Sequence, residues 1–116
     1  MANVAITPVK TTEPNVPVEY AFKALAASDV AVIPCGFKDE FTQIHFLGGA
    51  AAANVTIKAG NGYAGVNDEA FELGIGKYMA LTIDSARFKN ITGENKGKIL
   101  IAVDKACSIA VVEVRI

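Results

Sequence analysis

Apolar and polar side chains alternate along most of the chain, a pattern typical of half-buried β-strands. The alternation is clearest over residues 40–47 and repeats over residues 54–59. In each range we expect one alternate set of side chains to face the core: Ile44, Phe46, Val55 and Ile57. Further strand signals cover residues 3–7, 30–34, 70–73, 77–83, 98–103 and 107–116.

Turn-forming residues separate these segments at a spacing of roughly ten residues, which is typical of β-sandwiches and β-barrels. Gly48 and Gly49 end one segment, residues 84–88 predict a corner, and residues 92–97 have the composition of a hairpin turn. We therefore predict an all-β fold, a single β-sandwich or partly closed barrel of about eight or nine short strands. A length of 116 residues fits one domain.

Residues 18–28 have two interpretations. Val18, Phe22 and Leu25 recur at the spacing of one helical face, which favours a short helix. The alternative is an extended strand that leads into residues 29–34. The residues alone leave both open.

The first 17 residues are rich in threonine and proline. Proline cannot donate a hydrogen bond to a sheet ladder, so this composition predicts an extended arm or an edge strand. We divide the chain accordingly into an N-terminal arm, residues 1–17, and a β-sandwich domain, residues 18–116.

Composition and charge argue against several classes of protein. The net charge is −1, and the densest basic stretch, residues 87–98, also contains Glu94, so we expect no nucleic-acid partner. No run of apolar residues reaches the ~18 that a membrane span needs, and the N-terminus lacks the pattern of a secretory signal. We expect no membrane partner and synthesis in a cytosol. Cys35 and Cys107 are expected to be buried free thiols.

Residues able to carry catalysis are few. His45 is the single histidine and lies mid-strand among apolar residues, where a packed side chain is the usual role. None of the three serines Ser28, Ser85 and Ser108 stands in a Gly-x-Ser-x-Gly setting. We predict that the chain is not an enzyme and has no catalytic, cofactor-binding or metal-binding residues.

The glycine-rich residues 60–65 match G-x-G-x-x-G, but strand-like residues follow where a dinucleotide site needs a helix. We attribute these glycines to positive φ angles in a loop. The oxygen-bearing residues of this region do not have EF-hand spacing, which favours a surface loop over a calcium site: Asn61, Asn67, Asp68 and Glu69. The chain has no tryptophan, and its three tyrosines lie far apart in sequence, which argues against a sugar-binding platform: Tyr20, Tyr63 and Tyr78.

The order of the segments resembles that of the small head-decoration proteins of tailed phages and prophages. A Val-Ile-Pro edge, residues 32–34, is followed by the strand 41–47 and by a turn of small residues, 48–53. Val-Thr-Ile-Lys-Ala-Gly, an Arg-Phe corner, a glycine turn and two closing strands come next, at residues 55–60, 87–88, 97–100 and 109–112. The similarity extends from about Phe22 to the end of the chain, and the order of the pieces carries it.

The resemblance implies that residues 18–28 are extended and that the chain sits on the outer surface of an icosahedral capsid, which it stabilises. The expected partners are the major capsid protein and copies of the chain itself in a symmetric homo-oligomer. The family has no catalytic or cofactor residues to transfer. An extended arm can add to a sheet edge of a capsid subunit, so we select four contact candidates: Asn3, Val4, Ile6 and Pro8.

Two other interpretations remain open from the sequence. One is a non-catalytic binding module, immunoglobulin-like or carbohydrate-binding. The other is a different virion part, such as a tail or baseplate subunit.

Overall fold

A computed structural model describes residues 2–63, 65 and 67–115 of the chain. Short strands dominate the described residues, with one 3₁₀ turn at Asp39–Phe41 and one short helix, α1, at Ser85–Phe88. The ten strands are β1 (Asn3–Ala5), β2 (Val9–Thr11), β3 (Lys23–Leu25), β4 (Val30–Pro34), β5 (Thr42–Gly48), β6 (Ala53–Ile57), β7 (Glu69–Leu73), β8 (Tyr78–Thr82), β9 (Lys98–Val103) and β10 (Cys107–Val114).

The strands form two mixed sheets. Sheet A has the order β1-β4-β9-β6-β7. Sheet B has the order β2-β10-β5-β8, and β3 pairs with the other half of the β10 edge that β2 occupies. The predicted all-β fold is confirmed, and of its two forms the structure is the sandwich rather than a closed barrel.

Alternation along the strands builds the core between the two sheets. Ile44 and Phe46 of β5 face Val55 and Ile57 of β6 across it, each at most 3% exposed, as the sequence predicts. The inward residues of β9 and β10 complete the centre of the cluster: Ile99, Ile101, Val103, Cys107, Ile109 and Val111. Burying such β-branched side chains is the main source of stability in a domain of this size.

Residues 2–17 are extended, but they are part of the sandwich and do not form a separate arm. β1 pairs in parallel with β4 in sheet A, and β2 pairs in parallel with β10 in sheet B. Ile6, between these two strands, is 3% exposed, and its N–H donates to the carbonyl of Val32 at 3.0 Å. The proposed division at residue 17 therefore cuts through both sheets, because the arm supplies one strand to each.

Residues 18–28 contain no helix. Their only regular element is β3, which pairs antiparallel with β10 and buries Leu25 opposite Cys107. Phe22 packs against Tyr78 of sheet B and not against Leu25 on a common helical face. Long-range pairing with β10 thus outweighs the local helical periodicity.

The connections between the strands follow ordinary turn chemistry. At the corner before α1, Asp84 accepts a hydrogen bond from the N–H of Ala86 at 3.0 Å. Gly93 and Gly97 have φ angles of 85° and 79° in the turn before β9. Gly60 does not have a positive φ, which corrects our interpretation of the glycine-rich loop. A Cβ atom there would collide with the carbonyl of Lys89, so close backbone approach explains this glycine.

Among the described residues, no helix has the length and apolar character needed to cross a lipid bilayer.

Candidate functional site

The outward face of sheet B carries a cluster of aromatic rings. His45 projects from β5 and Tyr78 from β8, on the opposite side of each strand from the core. Residues 12–22 connect β2 to β3, and this crossing segment brings Tyr20 and Phe22 against them. We call Tyr20, Phe22, His45 and Tyr78 the aromatic cluster. Two of the three tyrosines that lie far apart in sequence are thus brought together by the fold.

The rings of the aromatic cluster pack at interplanar angles from 47°, for Tyr20 and His45, to 82°, for Phe22 and Tyr78. The Tyr20 ring lies 4.7 Å from the His45 ring, centroid to centroid, and the Phe22 ring lies 5.9 Å from Tyr78 at an interplanar angle of 82°. Tyr20 and Phe22 are also edge to face, at 67°. Such T-shaped pairs fix the crossing segment on the sheet. They do not provide the coplanar rings on which a sugar stacks.

His45 is buried by other rings of the cluster, Tyr20 and Tyr78, although it lies on the outward face. It is 6% exposed, and its Nδ1 is 2.6 Å from the hydroxyl of Tyr78. Its Nε2 is buried with no hydrogen-bond partner among the described residues. Burial lowers the pKa of His45 because the charged imidazolium loses its hydration. Burial, and then the proximity of Tyr20, raises the pKa of Tyr78, so both groups are neutral near pH 7.

This environment predicts a loss of stability in mild acid. Since the pKa of His45 is below its usual 6.5 in the folded chain, the unfolded chain binds the proton first as the pH falls. The contribution of His45 to the free energy of unfolding is therefore constant well above pH 6.5, and it decreases as the pH falls through and below 6.5. We expect the urea midpoint to drop between pH 7.5 and pH 5.5.

The matched variant is His45→Gln, which keeps a polar side chain beside Tyr78 but does not titrate. Its urea midpoint should change less than that of the wild type over the same interval. An equal drop in both proteins would show that other groups cause the acid sensitivity.

A second feature is an open groove of about 720 Å³ at the end of sheet B where β10 terminates. Two rings and two cations line it, and the cations lie over the rings. Arg115 stands 4.3 Å from the centre of the Phe37 ring, and Lys38 stands 5.8 Å from that of Phe41. Arg115 also binds the buried carboxylate of Glu113, with Nη2 and Oε1 2.7 Å apart. The guanidinium is therefore committed to the chain's own carboxylate and ring.

The four contact candidates selected from the sequence lie in or beside β1. Asn3 is exposed on the outward side of β1, opposite Val30. Val4 packs against the core, and Ile6 belongs to it. Pro8 is half-buried in the crossing from sheet A to sheet B. Because the side chains of Val4 and Ile6 serve their own core, they are not free to contact a second protein while β1 stays paired.

Other polar residues noted in the sequence support loops. The Oδ1 atom of Asn61 accepts from the N–H of Ile91 at 2.7 Å, and that of Asp68 accepts from the N–H of Ala59 at 2.7 Å. In the described part of the chain, no three His, Cys, Asp or Glu side chains come close enough to hold a metal ion. Both cysteines are free, and burial raises the pKa of Cys35 to about 11, so its thiol is protonated at neutral pH.

The aromatic cluster is the feature that sequence reasoning missed. Its members are separated by up to 58 positions, from Tyr20 to Tyr78, and no motif links them. The signal available in the sequence was the spacing of Tyr20 and Phe22, which stand on either side of Ala21 and would share one face of an extended segment. Comparisons of the chain with protein-family models, with curated proteins and with solved structures found no match.

Proposed function

We propose that the chain is a structural virion protein that binds the outer surface of a phage capsid and stabilises it. The observation that carries this proposal is an apolar and aromatic surface on the sheet B side of the molecule. Tyr20, Leu47 and Tyr78 are 39%, 37% and 50% exposed there. The crossing segment adds Val16 and Val18, which are also exposed. Apolar surface of this kind is typical of protein-binding faces.

The shape of the molecule supports the same proposal. Its principal dimensions are 37 × 37 × 20 Å, so the two sheets present two broad faces. The outward side of sheet A holds Asn54, Thr56 and Ala102 together with the aliphatic Val30 and Leu100. The sheet B side has the tyrosine rings, which are favoured as anchors in protein interfaces. We assign the sheet B side to the major capsid protein and the sheet A side to solvent.

Individually weak contacts between the chain and a capsid are sufficient for stable binding when the capsid is a repeating lattice. A decoration protein occurs in many copies, and neighbouring copies that touch one another add their affinities. Symmetric contacts between copies of the chain are therefore part of the proposal.

The test is co-sedimentation of the purified protein with expanded, undecorated phage heads, with unexpanded heads as the comparison. Saturable binding to the expanded heads alone would support decoration. Absence of binding to both would contradict it, and glycans and cell walls would then be screened.

Tyr20→Ala should weaken that binding about tenfold, since a half-exposed aromatic anchor contributes roughly 1.4 kcal/mol or more to an interface. The matched control is Tyr63→Ala, because Tyr63 is fully exposed on the glycine-rich loop and belongs to no cluster. Binding isotherms on expanded heads give both dissociation constants. Equal affinity of the two variants for expanded heads would show that the aromatic cluster is not part of the interface.

A further inference from the structure

Two free strand edges lie side by side where the sandwich is open. β7 is the last strand of sheet A and β8 the last strand of sheet B, and a short turn at residues 74–77 joins them. Each strand pairs on one side only among the described residues. Their backbone N–H and C=O groups on the other side are available to a further strand.

The two edges differ in charge. β7 carries Glu69 and Glu72, and charged side chains are a common protection of an edge strand. β8 reads Tyr-Met-Ala-Leu-Thr, with no charge, proline or glycine. Four of its five residues are exposed. An uncharged and exposed strand edge is open to pairing with another strand.

An apolar groove runs between the two edges. Phe46 and Phe71 form its floor, with ring centroids 5.3 Å apart, and Met79 and Leu81 of β8 line its wall. The groove has an open volume of about 250 Å³ there and continues for about 370 Å³ past Phe71 and Leu81 towards Phe88. Apolar surface next to an unpaired edge gives an added strand both backbone and side-chain contacts.

We propose that β8 pairs antiparallel with β8 of a second copy of the chain, with Ala80 on the two-fold axis. An antiparallel strand is its own complement under a two-fold rotation, so one uncharged edge suffices for both partners. The β7 edge is less suited to the same pairing, because with Phe71 on the axis the Glu72 side chains of the two copies would be diagonal neighbours of like charge.

The side chains of β8 favour this register. Opposite residues in an antiparallel pair share a face, and with Ala80 on the axis Met79 lies opposite Leu81 of the second copy, at the mouth of the groove. On the outward face Tyr78 lies opposite Thr82 of the second copy.

The dimer joins the two B sheets into one continuous sheet. Because its axis is perpendicular to that sheet, both aromatic clusters face the same way. The dimer rests on the self-association in the proposed function and deepens it, because one dimer presents two capsid-binding faces to the shell. Dimerisation is measured without any shell, so each proposal can fail without the other.

The experiment uses two charge variants at the axial position, Ala80→Lys and Ala80→Glu. Sedimentation equilibrium of the wild type should show a reversible dimer of twice 12.1 kDa. Each variant alone places like charges opposite each other and should raise the dissociation constant at least tenfold. An equimolar mixture should restore the dimer, because lysine then faces glutamate.

The matched control is Ala70→Lys, which puts the same charge on an exposed alanine of the β7 edge and should leave the dimer unchanged. Circular dichroism checks that every variant is folded. If the Ala80 variants do not fold, hydrogen exchange of the wild type decides: the β8 amides should gain protection as the protein concentration rises. A monomeric wild type, an equal effect of Ala70→Lys, no rescue in the mixture, or β8 exchange independent of concentration each overturns the proposal.

Discussion

Replacing Ile6 with alanine should destabilise the fold by about 2–5 kcal/mol, the usual cost of truncating a fully buried aliphatic side chain to alanine. Ile6 is 3% exposed and lies in the core cluster, at the point where the chain crosses from sheet A to sheet B. Its loss leaves a cavity between the sheets and weakens the anchorage of two strands of three residues each, β1 and β2. Urea unfolding followed by circular dichroism gives the free energy directly.

The neighbouring Thr7→Ala is the control, because Thr7 is exposed and its truncation should change the free energy of unfolding by less than about 0.5 kcal/mol. The comparison separates an integrated N-terminus from a free arm. If the arm were free for contacts with a capsid, neither substitution would change the free energy of unfolding.

Arg115→Ala should cost about 2–3 kcal/mol, because it leaves the carboxylate of Glu113 buried without its ionic partner. The Glu113 side chain is 4% exposed, and both Nε and Nη2 of Arg115 lie 2.7 Å from its Oε1. The figure is below that for a fully buried pair because the Arg115 side chain is 33% exposed. The substitution also removes the guanidinium from the Phe37 ring.

Lys58→Ala provides the matched surface pair. Lys58 and Asp68 are each 47% exposed, with a separation of 3.7 Å, so its loss should cost no more than about 1 kcal/mol. Chemical denaturation of both variants measures the difference. A cost for Arg115→Ala as small as that for Lys58→Ala would mean that water reaches Glu113 in solution.

Some features of the fold and of the aromatic cluster could be predicted from the sequence and others could not. The core faces of β5 and β6 were predictable, because one large apolar side chain at every second position has few alternatives in a strand. The burial of His45 was not, since it lies on the outward face and packs against the rings of Tyr20, 25 positions before it, and Tyr78, 33 positions after it. The free edge of β8 became visible only once the strand order placed it last in sheet B.

Short-range sequence patterns were enough to predict that the chain is all-β, where most strands lie and which sides of β5 and β6 face inward, because these properties depend on neighbours within a few residues. Three features became visible only in the folded chain: residues 2–17 belong to both sheets, residues 18–28 are not a helix, and Tyr20 packs against His45. The place of residues 2–17 depends on the pairing of β1 with β4 and of β2 with β10, and the place of residues 18–28 depends on the pairing of β3 with β10. Strand pairing of this kind depends on contacts between residues distant along the chain, so it cannot be predicted from local periodicity.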